Sequence, residues 1–383
     1  MRVVSIGSYD PQFNRNVLTD RLLEEINGVE HVSIPSHIFS GDRLTLWRNA
    51  KFATSFRVLP YLTGLFLRTL VDSLRHRGST YLVRYPGYLD APVVRLASLL
   101  GAGRVLYDPF VSIYDTVISD RGLASGNSWV AKALKLIDVV ALRASHTVIC
   151  DTPQSGDFLA RLSKCPRAKF ATLWIGADED SYFPPNANER ETERTKLLAK
   201  LNLDPSQRQF LVLYYGNFIP LHGVDRIIQA ANQVPQDVHF ILVGDGQERL
   251  RSEVSATRLL LKNVTFLERC SADDIRRLIW AVDLTLGTFG SSDKAQRVLP
   301  NKVMESMACA QLVLTGDTRT TQAWLDSVPF SNNSPADIAA AIKRLASADS
   351  LQQSRVAARN EYLEKFSTRV RYTQLRDLLC RFN

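Results

Sequence analysis

The chain has 383 residues, a formal net charge of +8, and 45% hydrophobic against 22% charged residues. That balance and length suit a soluble protein of two ordinary domains, and exclude a small stapled scaffold, a disordered chain and a fibrous one. Five scattered cysteines with no C-x-x-C pair read as free thiols in a reducing compartment, and a pI near 9.3 leaves an anionic partner open.

Short β-branched runs predict strands at 3–6, 81–85, 105–107, 147–150 and 172–175. A second series falls at 210–215, 239–243, 264–267, 284–288 and 312–314. Helical patterns such as 225–231 and 272–281 separate them, and the chain closes on an apolar-periodic helix at 370–382. Strands alternating with helices imply parallel sheets built from βαβ units. Between 182 and 209 the pattern pauses at Pro184-Pro185 and a run of Glu, Arg and Lys, which reads as a linker or surface excursion. Each half opens with a strand and a glycine turn, at Gly7 and at Gly216, so two facing Rossmann-like domains are the simplest reading. No signal peptide is expected, because Met1-Arg2 runs directly into Val3-Val4. The longest charge-free stretch, 209–224, falls short of the roughly 20 apolar residues that span a bilayer. The expected location is cytoplasmic.

In open parallel α/β sheets ligands bind at the carboxyl ends of strands. The turns there carry Gly216, Asn217 and His222, then Gly244-Asp245-Gly246, then Glu268-Arg269. Glycines let backbone N–H groups approach a phosphate. Gly244-Asp245-Gly246 is not G-x-G-x-x-G, which argues against a dinucleotide cofactor. The most informative segment runs from Arg297 through Pro300, Asn301 and Lys302 to Glu305. Pro300 suits a helix start, and Lys302 and Glu305, three apart, share a helix face. A carboxylate there can accept both hydroxyls of a ribose, while Arg297 and Lys302 can neutralise a diphosphate.

These motifs, in this order, resemble the family-4 retaining glycosyltransferases of the two-Rossmann GT-B fold. The resemblance is strongest over 210–317 and includes Leu242-Val243-Gly244-Asp245-Gly246 and Ala281-Val282-Asp283-Leu284. Trp174-Ile175-Gly176-Ala177-Asp178 resembles the interdomain segment. It implies an acceptor domain at 1–188, a donor domain at 189–365, and a helix at 366–383 that crosses back to the first. It also implies that Glu305 matches the second glutamate of the E-x7-E motif, which binds the donor ribose. The first glutamate falls at Arg297, and the phosphate-binding Arg and Lys fall at Asn217 and His222. The diphosphate then rests on Arg297 and Lys302, with Gly7, Gly216, Gly244, Asn301 and the backbone near Glu268 completing the donor site.

For the acceptor, Asp115 is the first choice of general base and Asp108 the second, both after the strand at 105–107. Either can instead be a loop cap or an ion-pair partner. Asp178-Glu179-Asp180 reads as a solvated charge run, so no catalytic metal is expected, and no cofactor beyond the donor substrate. Residues 43–84 hold eight cations against Asp72, interleaved with aromatic and aliphatic side chains. This suggests an anionic membrane surface, a lipid-linked acceptor and a peripheral place on the inner face, or simply a core helix with a solvated basic face. Nucleic acid is not expected. The expected activity is transfer of a sugar to an acceptor hydroxyl on a glycan, glycolipid or lipid-linked saccharide. The alternatives are an epimerase or hydrolase of the same fold and an inactive glycosyltransferase-like subunit.

Overall fold

The computed structural model describes residues 1–36, 58–348 and 351–381. Two compact units emerge, one of Met1–Trp174 with the segment from Arg371 onward, the other of Ile175–Val370. The expected boundary at 188 therefore moves to 174, and the return point from 366 to 371.

The first unit holds a parallel sheet of β1 (Arg2–Gly7), β2 (Glu30–Pro35), β3 (Thr80–Arg84), β4 (Arg104–Asp108), β5 (Thr147–Cys150) and β6 (Phe170–Thr172), in the order β2-β1-β3-β4-β5-β6. Successive residues of a strand face opposite sides, so a sheet covered on both faces needs near-continuous apolar strands. Val4, Ile6 and Val83 enter one core with Leu65, Val94, Ala141 and Leu159 from helices Val58–Arg75, Asp90–Ala97, Trp129–Ala144 and Pro153–Ser163. Val3 and Leu82 enter the other with Leu22 and Leu23 of helix Asn14–Glu25 and Leu375 and Leu378 of helix Thr368–Cys380.

The second unit repeats the plan with β7 (Phe210–Tyr215), β8 (Val238–Val243), β9 (Val264–Leu267), β10 (Leu284–Leu286), β11 (Val313–Gly316) and β12 (Phe330–Ser331), ordered β12-β11-β10-β7-β8-β9. All these strands run parallel, and the order in which they are added reverses between β1 and β3 in the first sheet and between β7 and β10 in the second. Those switch points are where a doubly wound sheet opens a crevice.

Two strands escape the sequence reading. β2 is an edge strand whose residues remain half-exposed, and β12 is two residues long. Neither carries the apolar run that marks a buried strand. The expected strand at 172–175 lies at Phe170–Thr172 instead. The expected linker at 182–209 contains a helix, Ala187–Lys200, opened by a reciprocal capping box between Asn186 and Glu189. Its polar run is tethered: Arg190 donates to the Trp280 carbonyl at 3.1 Å, and Arg194 to Asp283 at 3.0 Å. Of the basic cluster, Arg43, Arg48, Lys51 and Arg57 lie outside the described residues. Arg84 leaves it, being buried with its guanidinium 2.5 Å from Asp20 Oδ1.

Candidate functional site

The β7/β10 switch point gathers most of the second unit's expected residues. β7 ends on Tyr214 and Tyr215, which as neighbours on a strand point to opposite sides. Across them runs helix Asn301–Ala308, begun after Pro300, whose extended backbone suits the position before the first turn. Lys302 Nζ lies 4.1 Å from the centre of the Tyr214 ring and 3.4 Å from His222 Nδ1. A Cβ built on Gly216 would stand 3.2 Å from that same Nζ. Tyr214 Oη is 2.8 Å from His222 Nδ1 and donates to the Asn217 carbonyl at 2.8 Å. Glu305 goes the other way, its Oε2 accepting the Tyr215 hydroxyl at 2.8 Å. The two charges that share a helix face thus diverge around the end of one strand.

Both are buried, and burial sets their protonation. It pushes Glu305 up to about 7, against the pull of the Tyr215 hydrogen bond and the Lys302 charge. It pushes Lys302 down to about 7, against the opposing effect of Glu305. His222 lies well below its ordinary value, first through desolvation and then through the charges of Lys302 and Lys294. An amine held near neutrality in its titration, beside a neutral imidazole, can regain its full charge when an anion is brought beside it.

Lys294 is a member that sequence reasoning missed. It is buried on the 287–300 loop, as is Arg297. That loop is pressed onto the turn carrying His222: Phe289 N–H donates to the His222 carbonyl at 3.0 Å, and a Cβ on Gly290 would lie 2.3 Å from the Leu221 carbonyl oxygen. Gly290 was the available signal, because close backbone approach is what excludes a side chain there.

The glycine turns act differently from expectation. Gly216 N–H donates to the Val243 carbonyl at 3.0 Å and Gly244 N–H to the Leu267 carbonyl at 3.1 Å. Both amides are therefore spent inside the sheet ends and face no ligand. Gly244, at φ +126°, is required because a Cβ would sit 2.1 Å from the Gly216 carbonyl oxygen. Asn217 is exposed, and Arg269 approaches its Oδ1 at 3.5 Å. Glu268 is 92% exposed at its side chain. The backbone beside it is fixed by Arg249, stacked between Phe218 and Phe266 and donating to the Gly244 and Leu267 carbonyls at 2.7 and 3.0 Å. Asn301 is half-buried at the helix start.

Gly7, Asp108 and Asp115 belong to the first unit. The turn at Gly7 closes on Asp90, which accepts Ser8 N–H and Oγ–H at 2.6 and 2.7 Å. Asp108 is held by a buried ion pair, 2.7 Å from Arg15 Nε, and caps the amide of Phe110 at 3.2 Å. That is the loop-cap and ion-pair role. Asp115 is buried at the start of the wide helical turn Asp115–Asp120, its N–H donating to Ser112 Oγ at 3.0 Å. Ser112 in turn donates to Asp138 at 2.5 Å, so the turn is pinned from helix Trp129–Ala144.

Comparison with known proteins bears on the family and the fold. Residues 209–348 match the family described as glycosyl transferases group 1. The chain is 26% identical over 246 residues to WcaI of Escherichia coli K12, named for a candidate glycosyl transferase role in colanic acid biosynthesis, covering 61% of this chain and 56% of that one. It is 24% identical over 132 residues to D-inositol 3-phosphate glycosyltransferase of Xylanimonas cellulosilytica, 34% of this chain and 31% of that one. The chain thus spans about half, or less, of the length of these relatives. Among solved structures, HepE of Anabaena in complex with UDP superposes with a TM-score of 0.72 at 15% identity over 100% of both chains. Sucrose-phosphate synthase of Thermosynechococcus elongatus gives 0.71 at 16% identity over 99% of this chain and 98% of its own. The likenesses establish the GT-B fold.

Proposed function

We propose that this chain, whose residues 209–348 form a group 1 glycosyltransferase domain, moves a sugar from a nucleotide-diphosphate sugar to an acceptor hydroxyl, with retention and without a metal ion. The observation that carries the proposal is the placing of buried Lys302, beside His222, and buried Glu305 on either side of the end of β7 at the β7/β10 switch point. In this reading Lys302, with Lys294 and Arg297 from the adjoining loop, takes the diphosphate. Glu305 takes the ribose hydroxyls, and the backbone at Glu268 and Arg269 takes the base. The HepE–UDP complex makes uracil the first base to test.

The acceptor oxygen attacks the anomeric carbon from the face that the diphosphate leaves. The carbon–oxygen bond to the phosphate breaks, and the acceptor proton passes to Asp115 or to the departing phosphate oxygen. Negative charge grows on that oxygen, so preorganised cations beside it lower the barrier, and no protein nucleophile is needed. The colanic acid in the name of WcaI favours a saccharide acceptor, free or lipid-linked.

Calorimetry with UDP, GDP and ADP tests the donor site. Binding of one of them, weakened greatly in Glu305→Ala, supports the reading; no binding of any nucleotide refutes it. Product anomeric configuration by NMR, read with and without chelator, tests retention and metal independence. Consumption of donor with no acceptor present would favour the epimerase or hydrolase alternative.

A further inference from the structure

Four helices cover one side of the first unit's sheet, and three of them turn large apolar side chains outward. On helix Val58–Arg75 the exposed residues are Leu59, Leu67, Val71 and Leu74, the last three at i, i+4 and i+7 and so on one stripe. Helix Asp90–Ala97 and the turn Leu99–Gly101 after it expose Leu96, Leu99 and Leu100. That turn lies against the first helix so tightly that a Cβ on Gly101 would stand 1.9 Å from the Ser73 carbonyl oxygen. Helix Trp129–Ala144 exposes Trp129, at 78%, with Leu136 and Val140.

Charge on the outward faces of these three helices has a single sign; the fourth helix carries the exposed Asp157, paired with Arg167. The acids of the three helices all turn inward. Asp72 accepts from Arg2 at 2.6 Å and from Tyr81 at 2.8 Å, Asp90 from Ser8, and Asp138 from Ser112. The cations turn outward: Arg68 and Arg75 border the first stripe, while Lys132 and Arg143 continue the stripe of Trp129, Leu136 and Val140 at helical spacing. Ordinary solvated helices mix the two signs. Isolated exposed leucines need no explanation, but ten apolar residues on adjoining elements with an all-cationic rim do.

We propose that this three-helix face docks the chain on an anionic lipid bilayer. Apolar side chains on the surface of a helix bury shallowly among acyl chains, Trp129 suits the interfacial layer, and the arginines and lysines meet the lipid phosphates. A protein partner with an acidic face would have to match both the leucine stripes and the cations in fixed register; a bilayer matches them as a fluid. The inference reaches past the basic cluster legible in the sequence, since helices Asp90–Ala97 and Trp129–Ala144 lie outside it. It holds whatever sugar the chain transfers.

The test is co-sedimentation of the full chain with vesicles of pure phosphatidylcholine and vesicles holding about 30 mol% phosphatidylglycerol. Binding is expected only to the anionic vesicles, weakening as salt rises. Arg68→Gln with Arg75→Gln and Lys132→Gln should lower it roughly a hundredfold, at about fivefold per cation. Leu67→Gln with Val71→Gln and Leu74→Gln should lower it at least about tenfold. These side chains are exposed, so thermal unfolding should be unchanged in both sets. Leu250→Gln with Val254→Gln, exposed residues of the second unit, should bind as wild type. No binding to anionic vesicles, equal loss in the control, or retained binding in both variant sets overturns the proposal. So does a wild-type dimer in sedimentation equilibrium that the leucine variant abolishes, which would assign the face to a second copy.

Discussion

Replacing Lys302 by methionine probes the chemistry at the switch point most directly. The side chain that reaches Gly216 keeps nearly its length, while the ammonium over the Tyr214 ring is lost. Burial holds that amine near 7, so in the free protein at pH 8 about nine-tenths of the molecules carry it neutral. A diphosphate beside it pulls the proton back. Nucleotide binding at that pH should therefore take up close to one proton at Lys302, with affinity falling about tenfold per pH unit above 7. A hydrogen bond from a charged donor contributes about 2–3 kcal/mol, so Lys302→Met should weaken nucleotide binding roughly 30- to 150-fold. Calorimetry in two buffers of different ionisation enthalpy reads affinity and proton uptake together. The variant should lose both, while its thermal stability stays level or rises, because an apolar side chain replaces a desolvated charge. Wild-type affinity in the variant, or proton uptake that persists unchanged, would refute the assignment of Lys302 to the phosphates.

Other outcomes follow from the same contacts. Glu305 is raised from 4.5 to about 7, so the native state binds the extra proton and stability falls as pH rises from 4.5 to 7, by on the order of 3 kcal/mol. Lys302 is lowered from 10.5 to about 7, so the unfolded chain holds the extra proton and stability climbs again between 7 and 10.5. Urea unfolding across this range should show a minimum near neutrality that the double variant Lys302→Met, Glu305→Gln flattens; a minimum that survives places its cause elsewhere. Gly244→Ala forces a Cβ to 2.1 Å from the Gly216 carbonyl at a positive φ, and should cost more than about 3 kcal/mol by denaturant titration. An unchanged midpoint would contradict the close backbone packing. Asp108→Ala strands Arg15 in the core and should destabilise by about 3–5 kcal/mol, marking Asp108 as structural; full stability would reopen its catalytic candidacy. Asp115→Asn should leave nucleotide affinity within about twofold and lower turnover by about 10²–10⁴, the usual contribution of a general base. Normal turnover would pass the proton to the departing phosphate.

Where side chains face two covered sides of a sheet, composition alone marks the element. β5 and β7 therefore fall where their apolar runs predict them. β2 and β12 answer to pairing at an edge, and helix Ala187–Lys200 to a cap and to carbonyls that its arginines find across space, so local composition hides all three. The segment from Arg297 to Glu305 was legible as the start of a helix carrying two charges, since Pro300 precedes its first turn and the spacing puts Lys302 and Glu305 on that helix.

Chain order could settle which residues carry charge near the second glycine turn, and that two parallel sheets would hold them. Only the tertiary structure decided how the charges divide. Tyr214 and Tyr215, adjacent in sequence, stand on opposite sides of one strand, and they draw Lys302 to a neutral imidazole and Glu305 to a phenol. Only it brought Lys294 to His222, through a loop pressed onto a turn about seventy residues earlier in the chain, and only it spent the Gly216 and Gly244 amides inside the sheet. Periodicity fixes which face of its own element a residue occupies. What meets that face, and whether water remains between them to hold a charge in its usual state, is set by elements distant in sequence.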